Sequence, residues 1–232
     1  AAWYNNKYTE MNDGWHTPAE ECNKHLDALG VPFDRSKTLL DVGCGAGHFL
    51  AEADKRCTVL GLEISEVGLA HCAQRVPQNA FLELGSIENE LHSNALAPFD
   101  YIVSIGSLEH VVELDKALDN IRRLLKPQGK FYFYCPNELW VHEDQPNERT
   151  MPDAHWTALF ERHGLYVHSA KRWNDSTAFI GGREQQQFAG LIESLSKASE
   201  ASYSIQSFIQ GRDKLNCGSG QRPFDSAQGW IN

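Results

Sequence analysis

The stretch LLDVGCGAGHFL, residues 39–50, decides how the rest of the chain is read. Residues 38–42 read as a short buried strand. Gly43, Cys44, Gly45, Ala46 and Gly47 form a tight glycine-rich turn, and His48, Phe49 and Leu50 begin a helix. Glycine reaches backbone conformations closed to other residues and lets a ligand approach the main chain. The helix behind the turn offers unpaired N–H groups at its N-terminus. A strand, a glycine turn and a helix in this order make a cofactor cradle.

Working outward, strand and helix patterns alternate. Residues 17–20, TPAE, carry a helix start, with Thr17 as cap, Pro18 in the first turn and Glu20 completing a capping box. Ala19, Cys22, Leu26 and Leu29 share one face of that helix, which Gly30 and Pro32 end. Strands are expected at residues 58–63, 80–84, 101–105 and 130–135. A helix capped by Ser65 ends before Pro77, and Leu114, Ala117, Leu118, Ile121, Leu124 and Leu125 form an apolar helical stripe. A mainly parallel sheet covered on both faces follows. Residues 136–151 form a long polar connection, which points to a binding loop. Pro152 opens a further helix. Residues 165–171 and 177–180 are two last strands, too close in sequence for a helical crossover and so antiparallel. Phe188, Leu191, Ile192 and Leu195 mark a C-terminal amphipathic helix, and residues 203–232 are rich in Gly, Ser and Gln.

Composition narrows the function. The 232 residues are 41% hydrophobic and 22% charged, which suits a packed domain with appendages. The formal net charge is −10 and no long basic run exists, so a nucleic-acid partner is disfavoured. No apolar run approaches the ~20 residues of a membrane span. The opening AAWYNNKYTE has neither the basic start nor the apolar stretch of a signal peptide. The six cysteines form no CxxC pair and no zinc spacing, as expected of buried thiols in a reducing cytoplasm.

The spacing of the turn argues against a dinucleotide. Gly43 and Gly45 fit G-x-G-x-x-G, but His48 stands at the third glycine, and no Lys-Ser/Thr pair follows for a phosphate. The cradle suits a nucleoside without phosphates. Glu63, 20 positions after Gly43 at the end of the second strand, can accept from both ribose hydroxyls.

With these residues in place, the chain resembles the class I S-adenosylmethionine-dependent methyltransferases, with the flavour of the small-molecule ubiquinone- and menaquinone-biosynthesis types. LLDVGCGAGHF resembles their first motif and LGLEIS their acidic second-strand motif. LGSIE at 84–88 sits at the adenine-binding turn, and FDYIVSIGSLEHV at 99–111 resembles the fourth-strand motif. LDNIRRLLKPQGKFYFYCPN at 118–137 resembles the helix and fifth strand that follow. The likeness covers residues 15–182. It implies an α/β fold, a Rossmann-like seven-stranded, mostly parallel sheet with helices on both faces and an antiparallel last strand. Residues 1–30 would be an N-terminal lid and helix, 31–183 the cofactor-binding domain, and 184–232 a C-terminal helix and polar tail, a candidate for self-association.

The resemblance also implies a cofactor site. Gly43, Cys44 and Gly45 would meet the methionine part of S-adenosyl-L-methionine, and Asp41 would orient the turn or hold the cofactor's amino group. Glu63 would bind the ribose, Ile64 would pack on adenine, and Ser86 and Ile87 would flank the ring. Many relatives carry an aspartate where Ser86 stands, so Glu88 or the backbone would substitute as acceptor. Ser104 and Ile105 would line the methyl-transfer cleft with Gly106. Tyr8 and Trp15 would close over the cofactor; the other reading of these N-terminal aromatics is packing beneath the helix that follows.

The sulfonium is already a good leaving group, so positioning does most of the catalytic work and a base is needed only where the nucleophile must lose a proton. His110 is the candidate base and Glu109 its neighbour, a group for a substrate cation or for pinning a loop; a structural histidine is the competing reading. His142, Glu143 and Asp144 with Asp153 and His155 match no metal-ligand pattern, and no metal is expected. The fourth-strand turn reads SIGS, not Asn/Asp-Pro-Pro-Tyr, and Cys135-Pro136 reverses the Pro-Cys order of cytosine-C5 enzymes. The acceptor is therefore expected to be a small metabolite methylated at O, N or C. The alternatives are a non-catalytic cofactor-binding or scaffold protein and a dinucleotide-dependent oxidoreductase.

Overall fold

The computed structural model describes residues 1–11, 14–77, 80–91, 96–141 and 145–184. The chain divides into two units, Ala1–Gln186 and Gln187–Asn232. The first is described below. The expected C-terminal helix and the tail at 203–232 lie outside the described residues, as do His142, Glu143 and Asp144.

Seven strands form one sheet in the order β3-β2-β1-β4-β5-β7-β6. They are β1 (Thr38–Val42), β2 (Thr58–Glu63), β3 (Phe81–Leu84), β4 (Phe99–Ile105), β5 (Leu125–Pro136), β6 (Tyr166–Arg172) and β7 (Ser176–Gly182). The first five run parallel, while β7 is antiparallel to both β5 and β6. The expected doubly covered sheet with its antiparallel last strand is thus the fold observed.

The two-residue alternation of a strand explains the two cores. Leu40, Leu60, Ile102, Phe131, Phe133 and Phe179 face one layer. Their neighbours Leu39, Val59, Val103, Tyr132 and Ala178 face the other. The first layer is covered by α5 (Leu114–Leu124) and α6 (Asp153–Arg162). The stripe Leu114, Ala117, Leu118, Ile121 and Leu124 is buried there, as its spacing requires. Trp156 and Phe160 of α6 stack with ring centroids 5.6 Å apart, and the Trp156 indole N–H donates to the Pro136 carbonyl at 2.9 Å. The second layer is covered by α2 (Ala19–Leu29), α3 (His48–Asp54) and α4 (Glu66–Arg75).

The structure departs from the sequence reading in local chemistry. The capping box at residues 17–20 does not form. Pro18 is the cap residue, and no side chain caps the helix. Its carbonyl instead accepts from the N–H groups of Glu21 and Cys22 at 2.9 and 3.0 Å. Ala19 is exposed, whereas His25 is buried with its Nδ1 2.6 Å from the Tyr132 hydroxyl, so the buried face of α2 is rotated toward β5. Strand β5 starts at Leu125 rather than residue 130, with a register shift against β4 between Phe99 and Tyr101. Residues Ala2–Met11 form a helix, α1, where the sequence showed only clustered aromatics. Ser65 caps α4 as expected and accepts from Gly68 N–H at 3.1 Å.

Candidate active site

Parallel strands of this kind leave their carboxyl ends open as a crevice where the chain order reverses. Here the reversal lies between β1 and β4. A cavity of about 710 Å³ opens there, lined from the ends of β1, β2 and β4, the turn after β3, and the N-terminal segment.

The glycine turn is built by its carbonyl partners and by what fills the missing side chains. The N–H groups of Gly43 and Cys44 both donate to Leu62 O of β2, at 2.8 and 3.0 Å. Gly43 has φ +77°, and a Cβ there would stand 2.5 Å from Ser107 Cβ. Gly45 has φ +53°, and a Cβ there would meet the Tyr8 hydroxyl at 2.6 Å. The glycines thus admit two of the protein's own side chains, one from the turn after β4 and one from α1. Gly43 still lines the cavity; Gly45 lies behind Tyr8.

Glu63 is the electrostatic centre of this end. It is buried, and its two oxygens each accept a backbone N–H, from Gly45 and from Ser65, both at 2.9 Å. Burial pushes its carboxyl upward and those N–H groups pull it back. Each oxygen keeps a second lone pair for a ligand hydroxyl. Asp41, one position before the turn's first neighbour, is fully buried in the strand. Burial and the nearby Glu63 push it up to about 8. Beyond β3, the Ser86 hydroxyl donates to Glu88 Oε2 at 2.6 Å, and Glu88 Oε1 accepts from Glu113 N–H at 2.5 Å.

The other end is made by the short 3₁₀ turn Leu108–His110 after β4. His110 Nδ1 lies 3.1 Å from the Pro146 carbonyl. A carbonyl only accepts, so Nδ1 carries the proton and Nε2 keeps its lone pair. Burial lowers the imidazole's affinity for a second proton. Glu109 is buried with its Oε1 3.9 Å from His110 Nε2. Its Oε2 has no hydrogen-bond partner among the described residues. Burial pushes the Glu109 carboxyl up to about 8; its own backbone N–H pulls it down and Glu148 adds a smaller upward push. The loop that faces this turn is strapped down by Arg149. Its backbone N–H donates to Glu109 O at 3.1 Å, and its guanidinium donates to the carbonyls of Val111 and, at 3.0 Å, Val112.

Of the residues expected from sequence, Tyr8, Trp15, Gly43, Glu63, Ile64, Ser86, Ile87, Ile105, Glu109 and His110 line this one cavity. Asp41, Cys44, Gly45 and Ser104 do not. Cys44 points toward the core, its Sγ 4.0 Å from Cys72 Sγ. Ser104 is buried with its Oγ 2.5 Å from Ser107 Oγ, and Ser107 in turn donates to Val42 O at 2.6 Å. The N-terminal aromatics do not pack beneath α2; they divide between the glycine turn and the cavity. Tyr8 is buried against Gly45 and Gly68, while Trp3, Tyr4 and Trp15 form the cavity wall. Tyr4 and Ser107 were missed as site residues. Tyr4 was one member of an aromatic cluster without a periodic signal, and Ser107's role depends on a contact with Gly43 across 64 positions.

The chain matches the family described as "Methyltransferase domain" over residues 15–176. It is 30% identical over 116 residues to the ubiquinone biosynthesis O-methyltransferase of Bartonella tribocorum, covering 47% of this chain and 45% of that protein. The chain spans about half the length of the curated relatives it matches. Among solved structures, 1,6-didemethyltoxoflavin-N1-methyltransferase of Burkholderia thailandensis, with bound 1,6-didemethyltoxoflavin and S-adenosylhomocysteine, superposes with a TM-score of 0.63 at 18% identity. That match covers 78% of this chain and 85% of that one. A TehB-like SAM-dependent methyltransferase of Corynebacterium glutamicum gives a TM-score of 0.60 at 20% identity, over 79% of this chain and 99% of that one. The family match covers more than half of the chain, and the solved structures carry the same fold: this chain belongs to the methyltransferase-domain family.

Proposed function

We propose that the chain transfers a methyl group from S-adenosyl-L-methionine to an O, N or C atom of a small metabolite. One observation carries this reading. A single cavity joins a nucleoside-compatible end, with Gly43, Glu63 and Ile64, to an end that presents an imidazole lone pair at His110.

The residues present fit the cofactor. Glu63 offers free lone pairs to ribose hydroxyls, Gly43 offers main chain without a Cβ, and Ile64, 37% exposed at the mouth, offers an apolar surface to a base. Ser86, Ile87 and Glu88 line the neighbouring turn, where Glu88 takes the acceptor role that Ser86 fills weakly. Asp41, Cys44 and Gly45 act one layer back, shaping the turn. When bound, the cofactor supplies an electrophilic methyl on a sulfonium that leaves as a neutral thioether. The protein's own task is to orient the acceptor, exclude water and receive a proton. Orientation of this kind supplies ~7–11 kcal/mol. His110 Nε2 is the group that takes the proton from an acceptor that must lose one. The Tyr4 ring, with its centroid 6.1 Å from that of the imidazole, covers one side of it.

The cavity's carboxyl lining and the acidic chain favour a small molecule over nucleic acid. The cysteines at 22, 44, 57, 72 and 135 are free and buried, which fits a cytoplasmic setting. No helix among the described residues is long and apolar enough to cross a membrane.

The test has two readouts. Calorimetry with S-adenosylhomocysteine should give saturable binding. Incubation with S-adenosylmethionine and a metabolite extract should add a methyl group to a small molecule, read by mass spectrometry. Binding of nicotinamide dinucleotide but not of S-adenosylhomocysteine would overturn the reading. So would tight cofactor binding without transfer to any metabolite.

A further inference from the structure

Glu109 presents an unmet demand inside the cavity. Its side chain is 6% exposed, and Oε2 is buried with no partner among the described residues. A buried carboxyl oxygen left in this state costs free energy until a donor reaches it. The hydroxyl of Tyr4, which lines the same cavity beside the His110 ring at 6.1 Å, is likewise buried and unpartnered among the described residues. The other lining carboxyls are already engaged: Glu63 and Glu88 by backbone N–H groups, and Glu148 by the Trp140 indole N–H at 2.8 Å. No Lys or Arg side chain lines the cavity among the described residues. The one cationic group on the described lining, the α-amino group of Ala1, acts on Glu63, so at the Glu109 end an acceptor bearing a carboxylate or phosphate would lose its hydration without gaining a Lys or Arg counter-charge.

We propose that the methyl acceptor carries a basic nitrogen, held by Glu109 Oε2 with the Tyr4 hydroxyl beside it, on the wall formed by Trp3, Tyr4 and Trp140. This rests on the methyltransferase reading and deepens it by naming the acceptor's class. An amine meets the site from either protonation state. A neutral amine accepts the carboxyl proton, and an ammonium meets a carboxylate. Both give the same charge-assisted pair, stronger than a neutral hydrogen bond. The aromatic wall adds attraction for the cation through the negative faces of its rings.

Three probes with one ring separate the possibilities: benzylammonium, benzyl alcohol and benzoate, titrated calorimetrically into the full chain saturated with S-adenosylhomocysteine. Benzylammonium should bind at least about tenfold tighter than benzyl alcohol, the size of one charged hydrogen bond. Benzoate should bind weakest. Glu109→Gln should remove about tenfold from benzylammonium and leave benzyl alcohol within about twofold. Tyr4→Phe should weaken benzylammonium by a smaller factor. Benzoate binding as tightly as benzylammonium would overturn the proposal on the wild-type protein alone. So would undetectable benzylammonium binding, or an unchanged affinity in a folded Glu109→Gln variant. S-adenosylhomocysteine affinity is measured first, in the absence of probe. Its absence would overturn the methyltransferase reading, whereas cofactor binding with the wrong probe ranking would overturn the amine alone.

Discussion

The two ends of the cavity differ in how their polar groups are satisfied. At the glycine-turn end, Glu63 accepts from Gly45 and Ser65, Glu88 accepts from Ser86 and Glu113, and Ser107 ties the turn to Val42. At the Glu109 end, the carboxyl Oε2 and the Tyr4 hydroxyl have no partner among the described residues. An end whose carboxyl oxygens are each anchored by an N–H is fixed before any ligand arrives, so its remaining lone pairs can bind a constant molecule at low ordering cost. An unsatisfied end keeps its hydrogen-bonding capacity for the ligand and uses it to discriminate. The contrast matches a common donor at one end and a particular acceptor at the other.

The sharpest way to break this comparison is to remove a group from each end and read binding and turnover separately. His110→Ala removes the proposed proton acceptor, and turnover should fall by about 10²–10⁴-fold, the usual weight of a positioned base. Cofactor affinity should stay near wild type, because His110 belongs to the other end. Wild-type turnover in this variant would make the imidazole a loop anchor through Pro146. Glu63→Ala should do the reverse. It strips the acceptor from two backbone N–H groups and removes the carboxylate proposed for the ribose, so S-adenosylhomocysteine affinity should fall by about 10²-fold, at ~1.5–3 kcal/mol for a charged hydrogen bond. An unchanged affinity would move the ribose contact away from Glu63.

The two ends also differ in how well the sequence revealed them. The glycine turn, Glu63 and the capping Ser65 were legible because each is a local backbone requirement: a positive φ, a strand end, a helix start. The core stripes were legible because period carries burial. Tyr8 was visible only as an aromatic, since its partners Gly45 and Gly68 are distant in sequence and α1 has too weak an apolar pattern to be read as a helix. The capping-box reading failed because the helix starts at Ala19, which makes Pro18, a residue with no capping side chain, the cap in place of Thr17. Glu109 and His110 were chosen by motif, but the tautomer of His110 and the orphaned oxygen of Glu109 depend on Pro146 and on burial, which no local pattern encodes.

Titration offers a third test, of smaller size. The Glu109 carboxyl sits near 8 in the folded protein, above its ordinary value, because burial disfavours its charge. The folded state therefore binds more protons than the unfolded state between the ordinary glutamate range and about 8. The stability this contributes is fully present below that ordinary range and is lost as pH rises through the window. Glu109→Gln removes the titrating group. Its stability relative to wild type, from urea unfolding, should improve on going from pH 5 to pH 8.5 by on the order of 3 kcal/mol. Asp41, also raised to about 8, remains in both proteins and cancels from the difference. A difference that stays flat with pH would mean that Glu109 finds a donor in solution, and the unsatisfied end of the comparison would vanish.

The smallest effect belongs to Ser107, where the two ends meet. Its Cβ occupies the space that Gly43 leaves, and its hydroxyl donates to Val42 O while accepting from Ser104. Ser104 is the donor of that pair, because Ser107 has committed its own hydrogen to the carbonyl. Ser107→Ala keeps the Cβ contact and deletes both hydrogen bonds, so packing and polar fastening separate cleanly. Stability should fall by about 1–2 kcal/mol, seen as a lower urea midpoint with an unchanged slope. S-adenosylhomocysteine affinity should weaken by only a few-fold, since Leu62 O still holds the turn through Gly43 and Cys44. A larger loss of affinity than of stability would mean that the turn after β4 sets the cofactor end as well. The rigidity of that end would then be borrowed from the acceptor side rather than intrinsic to the glycine turn.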